Sequence, residues 1–431
     1  MMRQLACAVL VLLYSVALYA GQPAATVFEI KPDKELGVYA AGETVKWTVA
    51  IKHEGKPATG KATYTLKTGG LTPGQPTTVD LSAEGGFEAS GTRAEPGTLT
   101  LEVKYKPAGL DKEASALGGA VFDYEKIKAS MPPPDDFDAF WAAKIAELQA
   151  VPMNAVVTKV ENKTPNVEYS KVTMDNIRGA KIYGHLAKPA GKTGLPAILQ
   201  VQYAGVYGLK PENVTGSASG GWLAFNITAH DIPIDESEEF YKKQSEGPLK
   251  DYRSIGNDDR EKSYFLRMFL SCYRAVDYIT QHPDWDKKTL IVVGGSQGGY
   301  QAIVTAGMHP AVTAFAANVP AGCDHTGKTA GRQNGWPNWN GWANGKDPAK
   351  MLETSRYFDA MNFATRAKCP GLIGVGLVDA VCPPEGIFAT YNQLKGPKQI
   401  VIMPRSGHGQ EGPGHAAYYK VYNPFLMANR K

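Results

Sequence analysis

Hydrophobic and polar positions change texture along the chain. From Thr26 to about Lys126, apolar and polar residues alternate in short runs, VKWTVAIKH (45–53), KATYTLKTG (61–69), TTVDLSAEG (77–85) and TLTLEVKYK (98–106). A period of two suits strands with one buried face, and the Gly, Pro and Asp/Asn punctuation recurs at sandwich spacing. These runs predict an all-β, immunoglobulin-like sandwich domain over residues 26–126, with Trp47 and Tyr64 inside strands and in its core. It contains no catalytic constellation, so its role is either packing and spacing or carbohydrate binding.

Met131-Pro132-Pro133-Pro134 then breaks the pattern and reads as a stiff linker over 127–134. Asp135 or Asp136 caps a helix, FDAFWAAKIAEL, with Phe137, Phe140, Trp141, Ile145 and Leu148 on one face. Beyond it, strand-like runs at 181–189, 197–203, 222–230, 289–295, 311–320, 371–379 and 399–407 alternate with helices such as 263–283. Such alternation predicts an α/β domain over 135–431 built on a doubly wound, mainly parallel sheet.

The N-terminus follows a third pattern. Arg3 precedes an apolar run from Leu5 to Leu18, too short for a comfortable membrane span, and small residues follow at Ala20, Gly21, Ala24 and Ala25. We expect a signal peptide within residues 1–25, cut after Ala20, and a secreted or periplasmic mature protein with no membrane attachment. Four cysteines would remain, Cys272, Cys323, Cys369 and Cys382. None has metal-ligand spacing, and they read as buried small apolar residues, with room for one disulfide. A net charge of +4 over 431 residues gives no footprint for nucleic acid.

The candidate chemistry centres on TLIVVGGSQGGYQAI (289–303). A β-branched run stops at Gly294-Gly295, Ser296 sits on the stop, and a helix begins after it, which is G-x-S-x-G in a strand-turn-helix setting. This matches the nucleophile elbow expected of an α/β-hydrolase, where the flanking glycines allow strand and helix to pass closely; the alternative of a phosphate loop fits neither G-x-G-x-x-G nor G-x-x-x-x-G-K-[ST] spacing. The same fold requires an acid and then a histidine, each at a strand's carboxyl end. Asp379 ends GLIGVGLVD, and His408 follows KQIVIMP. They are expected to complete a Ser296–His408–Asp379 triad, His408 acting as base and then acid. His325 and His415 are rivals, His415 the nearer because it shares the glycine-rich loop. An H-x-x-E-x-x-x-H zinc reading of His408, Glu411 and His415 fails because glycines and a proline exclude a regular helix there. No metal or cofactor is expected.

Backbone N–H groups of Gln297 and of Tyr203 or Ala204, after the strand AILQVQ, are candidate oxyanion donors. His230 is either a pocket residue or a hydrogen-bonded loop histidine. Trp336, Trp339 and Trp342, in GRQNGWPNWNGWANGKD (331–347), either stack on sugar or pack a cap or subunit interface.

Residues 131–431 resemble the acetyl xylan esterase and cephalosporin C deacetylase family, carbohydrate esterase family seven. The resemblance rests on DFDAFW (136–141), FLSCYRAVDYI (269–279), GGSQGG (294–299), GLVDAVCPPEGIFATYN (376–392) and SGHG (406–409). It implies Ser296, Asp379 and His408 as the triad, acetyl esters of carbohydrates and related small alcohols as substrates, and homo-oligomers whose openings limit substrate size. The family's H-G-Y segment appears as Gln202-Tyr203-Ala204, and its R-G-Q-G segment is replaced by AHDIPID (229–235). The expected function is therefore a secreted serine esterase that deacetylates carbohydrates. The alternatives are a bulky-acyl or prolyl-peptidase-like hydrolase of the same fold, or a non-catalytic carbohydrate-binding envelope protein.

Overall fold

The computed structural model of the chain describes residues 26–339, 345–409 and 413–431. The signal-peptide expectation for 1–25, Trp342 and Glu411 lie outside the described residues. Ten strands come first: β1 (Thr26–Pro32), β2 (Val38–Tyr39), β3 (Thr44–His53), β4 (Lys56–Pro57), β5 (Lys61–Thr68), β6 (Thr72–Pro73), β7 (Thr77–Asp80), β8 (Gly86–Thr92), β9 (Gly97–Tyr105) and β10 (Ala114–Phe122). One sheet joins β1, β3, β4 and β8, and the other joins β2, β10, β9, β5, β6 and β7. In β3 burial alternates along the strand, and Val45, Trp47, Val49 and Ile51 enter an apolar core shared with Leu101 and Val103 of β9. The period-two pattern thus becomes two sheets around one core. Tyr64 is only half buried, stacked on Phe87 at 5.8 Å.

Helix α1 (Phe137–Gln149) follows. Asp136 is its N-cap residue but makes no side-chain cap bond, because its carboxylate is engaged by Arg260 and Tyr357 instead. The remaining elements are β11 (Val156–Lys159), β12 (Val167–Asp175), β13 (Lys181–Pro189), β14 (Leu195–Val201), α2 (Glu212–Ser219), β15 (Leu223–Ile227), α3 (Glu238–Glu246), α4 (Tyr264–Gln281), β16 (Trp285–Gly295), α5 (Gln297–Met308), β17 (Ala314–Asn318), α6 (Pro348–Phe358), α7 (Ala360–Ala364), β18 (Gly371–Gly376), α8 (Pro384–Gln393), β19 (Lys398–Met403) and α9 (Ala416–Ala428). Their strands form one nine-stranded sheet in the order β11-β12-β13-β15-β14-β16-β17-β18-β19. Pairing is antiparallel from β11 through β15 and parallel from there to β19, which makes the sheet mixed, with a parallel half that carries Ser296.

Alternation within these strands feeds two cores. Leu199, Leu290 and Val292 point to the face covered by α1, α4, α5, α7 and α8, while Ile198, Ile291 and Val293 point to the face covered by α2 and α9. A strand buried on both faces reads as a continuous apolar run, which is why LIVV carries no polar residue. Among the described residues no helix is long and apolar enough to cross a membrane, and all four cysteines are free thiols.

The N-terminal sheets are clamped onto the α/β part by polar and close contacts. Glu385 of α8, almost fully buried, accepts the Thr98 N–H at 2.8 Å and the Thr98 hydroxyl at 2.9 Å, and pairs with Arg93 at 3.2 Å. Gly119 of β10 lies so close to Leu377 that a Cβ there would sit 2.5 Å from the leucine Cβ. Leu377 directly follows β18 on the way to Asp379, so β10 backs the loop that carries the acid.

Candidate active site

Ser296 stands between β16 and α5 with φ 54° and ψ −122°, a strained combination for a residue with a side chain. Its N–H donates to the Asn318 carbonyl at 2.9 Å, and its carbonyl accepts from Ala321 and Tyr300 at 3.0 Å each, which over-determines the turn. The glycines around it serve close approach. A Cβ on Gly294 would meet the Gly298 carbonyl carbon at 2.4 Å, and one on Gly298 would meet the Val201 carbonyl oxygen at 2.5 Å.

The Ser296 hydroxyl lies 2.8 Å from His408 Nε2, and His408 Nδ1 lies 2.8 Å from Asp379 Oδ2. A carboxylate only accepts, so Nδ1 carries the ring proton and Nε2 is left to accept from the serine. Asp379 is buried, and its other oxygen accepts the N–H groups of Val381 and Cys382 at 2.8 Å each. The acid is therefore held by its own loop while it orients the imidazole. His415, the rival in the same loop, has both ring nitrogens engaged elsewhere, with Asn318 Nδ2 at 2.9 Å and the Gly407 carbonyl at 3.0 Å. His325 is buried against Tyr300 and stacked on Trp339, and burial holds its pKa down at about 3. Cys382, buried beside Ser296, is pushed well above the ordinary thiol range by desolvation, so it stays protonated and is no competing nucleophile.

Gln297 begins α5, whose first-turn N–H groups have no intrahelical acceptor. Its side chain is buried and bridges two elements, accepting from the Tyr252 hydroxyl at 2.6 Å and donating to the Gln202 carbonyl at 3.3 Å. The same Tyr252 oxygen accepts the Gly205 N–H at 3.2 Å. The Gly205 donor is thereby used within the protein. Tyr203 is 60% exposed and stacks on Tyr207 at 4.7 Å between ring centroids.

His230 is enclosed, with Nε2 2.9 Å from the Gly205 carbonyl and Nδ1 2.7 Å from the Tyr264 hydroxyl. Burial lowers its pKa to about 4, so at neutral pH it is an uncharged brace that donates from Nε2 and accepts at Nδ1. Of the two readings, the hydrogen-bonded loop histidine is the one this geometry matches. Trp336 is partly exposed, and its backbone N–H donates to the Val381 carbonyl at 2.8 Å. Trp339 is 1% exposed, packed against His325, Phe265 and Phe358, and this leaves it no open face for a sugar.

Tyr252, Tyr264, Asn318 and Glu385 are absent from the sequence-based candidates. Tyr252 and Asn318 act through hydrogen bonds made across the fold, and no local spacing announces them. Gln202 was visible only as a departure. Its side-chain oxygen accepts from Thr228 Oγ1 at 3.0 Å and from the Ala229 N–H at 2.8 Å, which ties the two departing segments to each other.

The sheet, with its strained serine where a parallel strand turns into a helix, defines an α/β-hydrolase-like protein. Residues 121–423 match the acetyl xylan esterase (AXE1) family model, and the chain belongs to that family of carboxylic ester hydrolases. It is 32% identical over 375 residues to the acetyl esterase Axe7A of Xylanibacter ruminicola, covering 86% of this chain and 81% of that protein. The acetyl xylan esterase from Paenibacillus sp. R4 superposes with TM-score 0.62 at 26% identity, over 71% of this chain and 98% of that one. Acetyl xylan esterase 1 from a Thermoanaerobacterium species gives TM-score 0.61 at 22% identity, over 72% and 98%, a likeness of fold.

Proposed function

We propose that the protein is a secreted serine esterase that removes acetyl groups from carbohydrates. The observation that carries the reading is the Ser296–His408–Asp379 chain of two 2.8 Å contacts on a strained elbow. Membership of the acetyl xylan esterase family supplies the substrate class. In this mechanism Ser296 Oγ attacks the acetyl carbonyl while His408 Nε2 takes its proton, and Asp379 stabilises the resulting imidazolium. The N–H of Gln297 and that of Tyr203 or Ala204 receive the oxyanion. The bond to the sugar oxygen then breaks, His408 protonates the leaving alkoxide, and water activated by the same nitrogen cleaves the acetyl-serine to acetate. In the same proposal residues 1–25 are a signal peptide, and an immunoglobulin-like domain over 26–126 is joined by 127–134 to the hydrolase domain over 135–431.

The test measures acetate release from acetylated xylo-oligosaccharides, acetylated monosaccharides and cephalosporin C, with the Ser296→Ala protein beside the native one. Release from the native protein alone, with acetyl esters cleaved far faster than butyryl esters, is the expected result. Undiminished hydrolysis by Ser296→Ala would refute the triad, and a preference for butyryl would refute the deacetylase reading.

A further inference from the structure

A cleft of about 410 Å³ opens between the N-terminal sheets and the His408 loop. One wall comes from Phe28 of β1 and Ser115 and Leu117 of β10, the other from Val381, Arg405 and His408. Its size lies within the range of about 300–1,000 Å³ usual for small-molecule sites and is far more than an acetyl group fills. The His408 side chain is 22% exposed, so the imidazole that faces Ser296 also borders this space. We propose that the cleft is the subsite for the alcohol part of the ester, a glycosyl unit, and that the N-terminal all-β region supplies half of it.

The proposal rests on the deacetylase reading and sharpens it. The nitrogen that protonates the leaving alkoxide must lie on the leaving-group side of the reacting carbon. A cavity bounded by His408 is therefore placed for the alcohol. Its lining suits a sugar ring, with an aromatic ring and aliphatic side chains for the C–H face and Arg405, Glu29 and Ser115 able to meet hydroxyls. A wall borrowed from another part of the chain serves as a site only if it is held in place. The buried Glu385–Thr98–Arg93 bonds fix β9, the neighbour of β10, to α8, and the Gly119–Leu377 contact sets β10 against the loop bearing Asp379.

The experiment compares kcat/KM for acetylated xylotriose with that for ethyl acetate, whose alcohol is too short to reach the far wall. Ser115 is exposed, so Ser115→Cys can be folded first and then blocked with a bulky maleimide, the native protein treated identically serving as control. Blocking is expected to lower the xylotriose-to-ethyl-acetate ratio at least tenfold, mainly through KM, and Phe28→Ala to lower it at least threefold. A ratio within twofold of the native value in both proteins overturns the proposal. If the native protein cleaves ethyl acetate but no acetylated sugar, the deacetylase reading falls. The cleft is then judged on the ratio of 2-naphthyl acetate to ethyl acetate. A tenfold fall on blocking upholds an alcohol-side site, and an unchanged ratio overturns it.

Discussion

Replacing Gly298 by alanine tests the elbow and the oxyanion geometry together. The new Cβ would lie 2.5 Å from the Val201 carbonyl oxygen and 3.3 Å from its carbon, both backbone atoms with no rotamer to relieve the clash. Ordinary contact needs about 3.5 Å or more, so α5 and the end of β14 must separate by about 1 Å. Val201 leads directly into Gln202-Tyr203-Ala204, and Gly298 directly follows Gln297, so the separation parts the two groups of proposed oxyanion donors. Overpacking of this kind costs about 1–3 kcal/mol of stability. A misplacement of about 1 Å at a catalytic centre costs about 100-fold in rate. We expect Gly298→Ala to lower the melting temperature by several degrees and kcat on a 4-nitrophenyl acetate assay by about two orders of magnitude. Gly295→Ala is the control, because the nearest atom to its Cβ beyond the chain neighbours is the Asn318 carbonyl oxygen at 3.8 Å. The reasoning is refuted if Gly298→Ala keeps kcat within threefold of the native value, or if Gly295→Ala is equally damaging.

Tyr252→Phe removes the one oxygen shared by the Gly205 N–H and the Gln297 side chain, and kcat should fall about tenfold with KM little changed, as steady-state kinetics would show. His230 has a folded-state pKa of about 4 against an ordinary 6.5, so the native state binds fewer protons between those values and stability falls as pH drops through that window. Its share is about 3 kcal/mol at most. His230→Phe should therefore show a shallower loss of melting temperature from pH 7 to 4.5 than the native protein, and parallel curves would count against the burial argument. Glu385→Gln leaves Arg93 with no carboxylate partner in the clamp and should destabilise the protein by about 3 kcal/mol in chemical denaturation. A native-like midpoint would show that the clamp contributes little.

Much of the site was legible because its signals are local. A β-branched run, a glycine stop and a following helix occupy one short stretch, and LIVV-GG-S-QGG contains all of them. Asp379 and His408 were likewise marked by strand ends. Strands β11 and β12 were absent from the expectation. In β11 every residue is exposed, so no buried face imprints a period on its sequence. The tryptophan-rich loop was ambiguous for another reason. Composition places aromatic residues near one another but does not say which ring is covered, and the fold buries Trp339 while leaving Trp336 partly open.

The sequence by itself determined the alternation of elements, the strained position of Ser296 and the chain order of serine, acid and histidine, since each depends on neighbours within a few residues. Tertiary structure alone decided which histidine faces the serine. His408 and His415 share one loop, and only the packing of that loop turns one toward Ser296 and the other toward Asn318. It also decided that His230 braces Gly205 and that β1 and β10 stand across a cleft from His408. These are contacts between residues far apart along the chain, and the energy that selects them, burial and hydrogen bonding across elements, is written in no single segment.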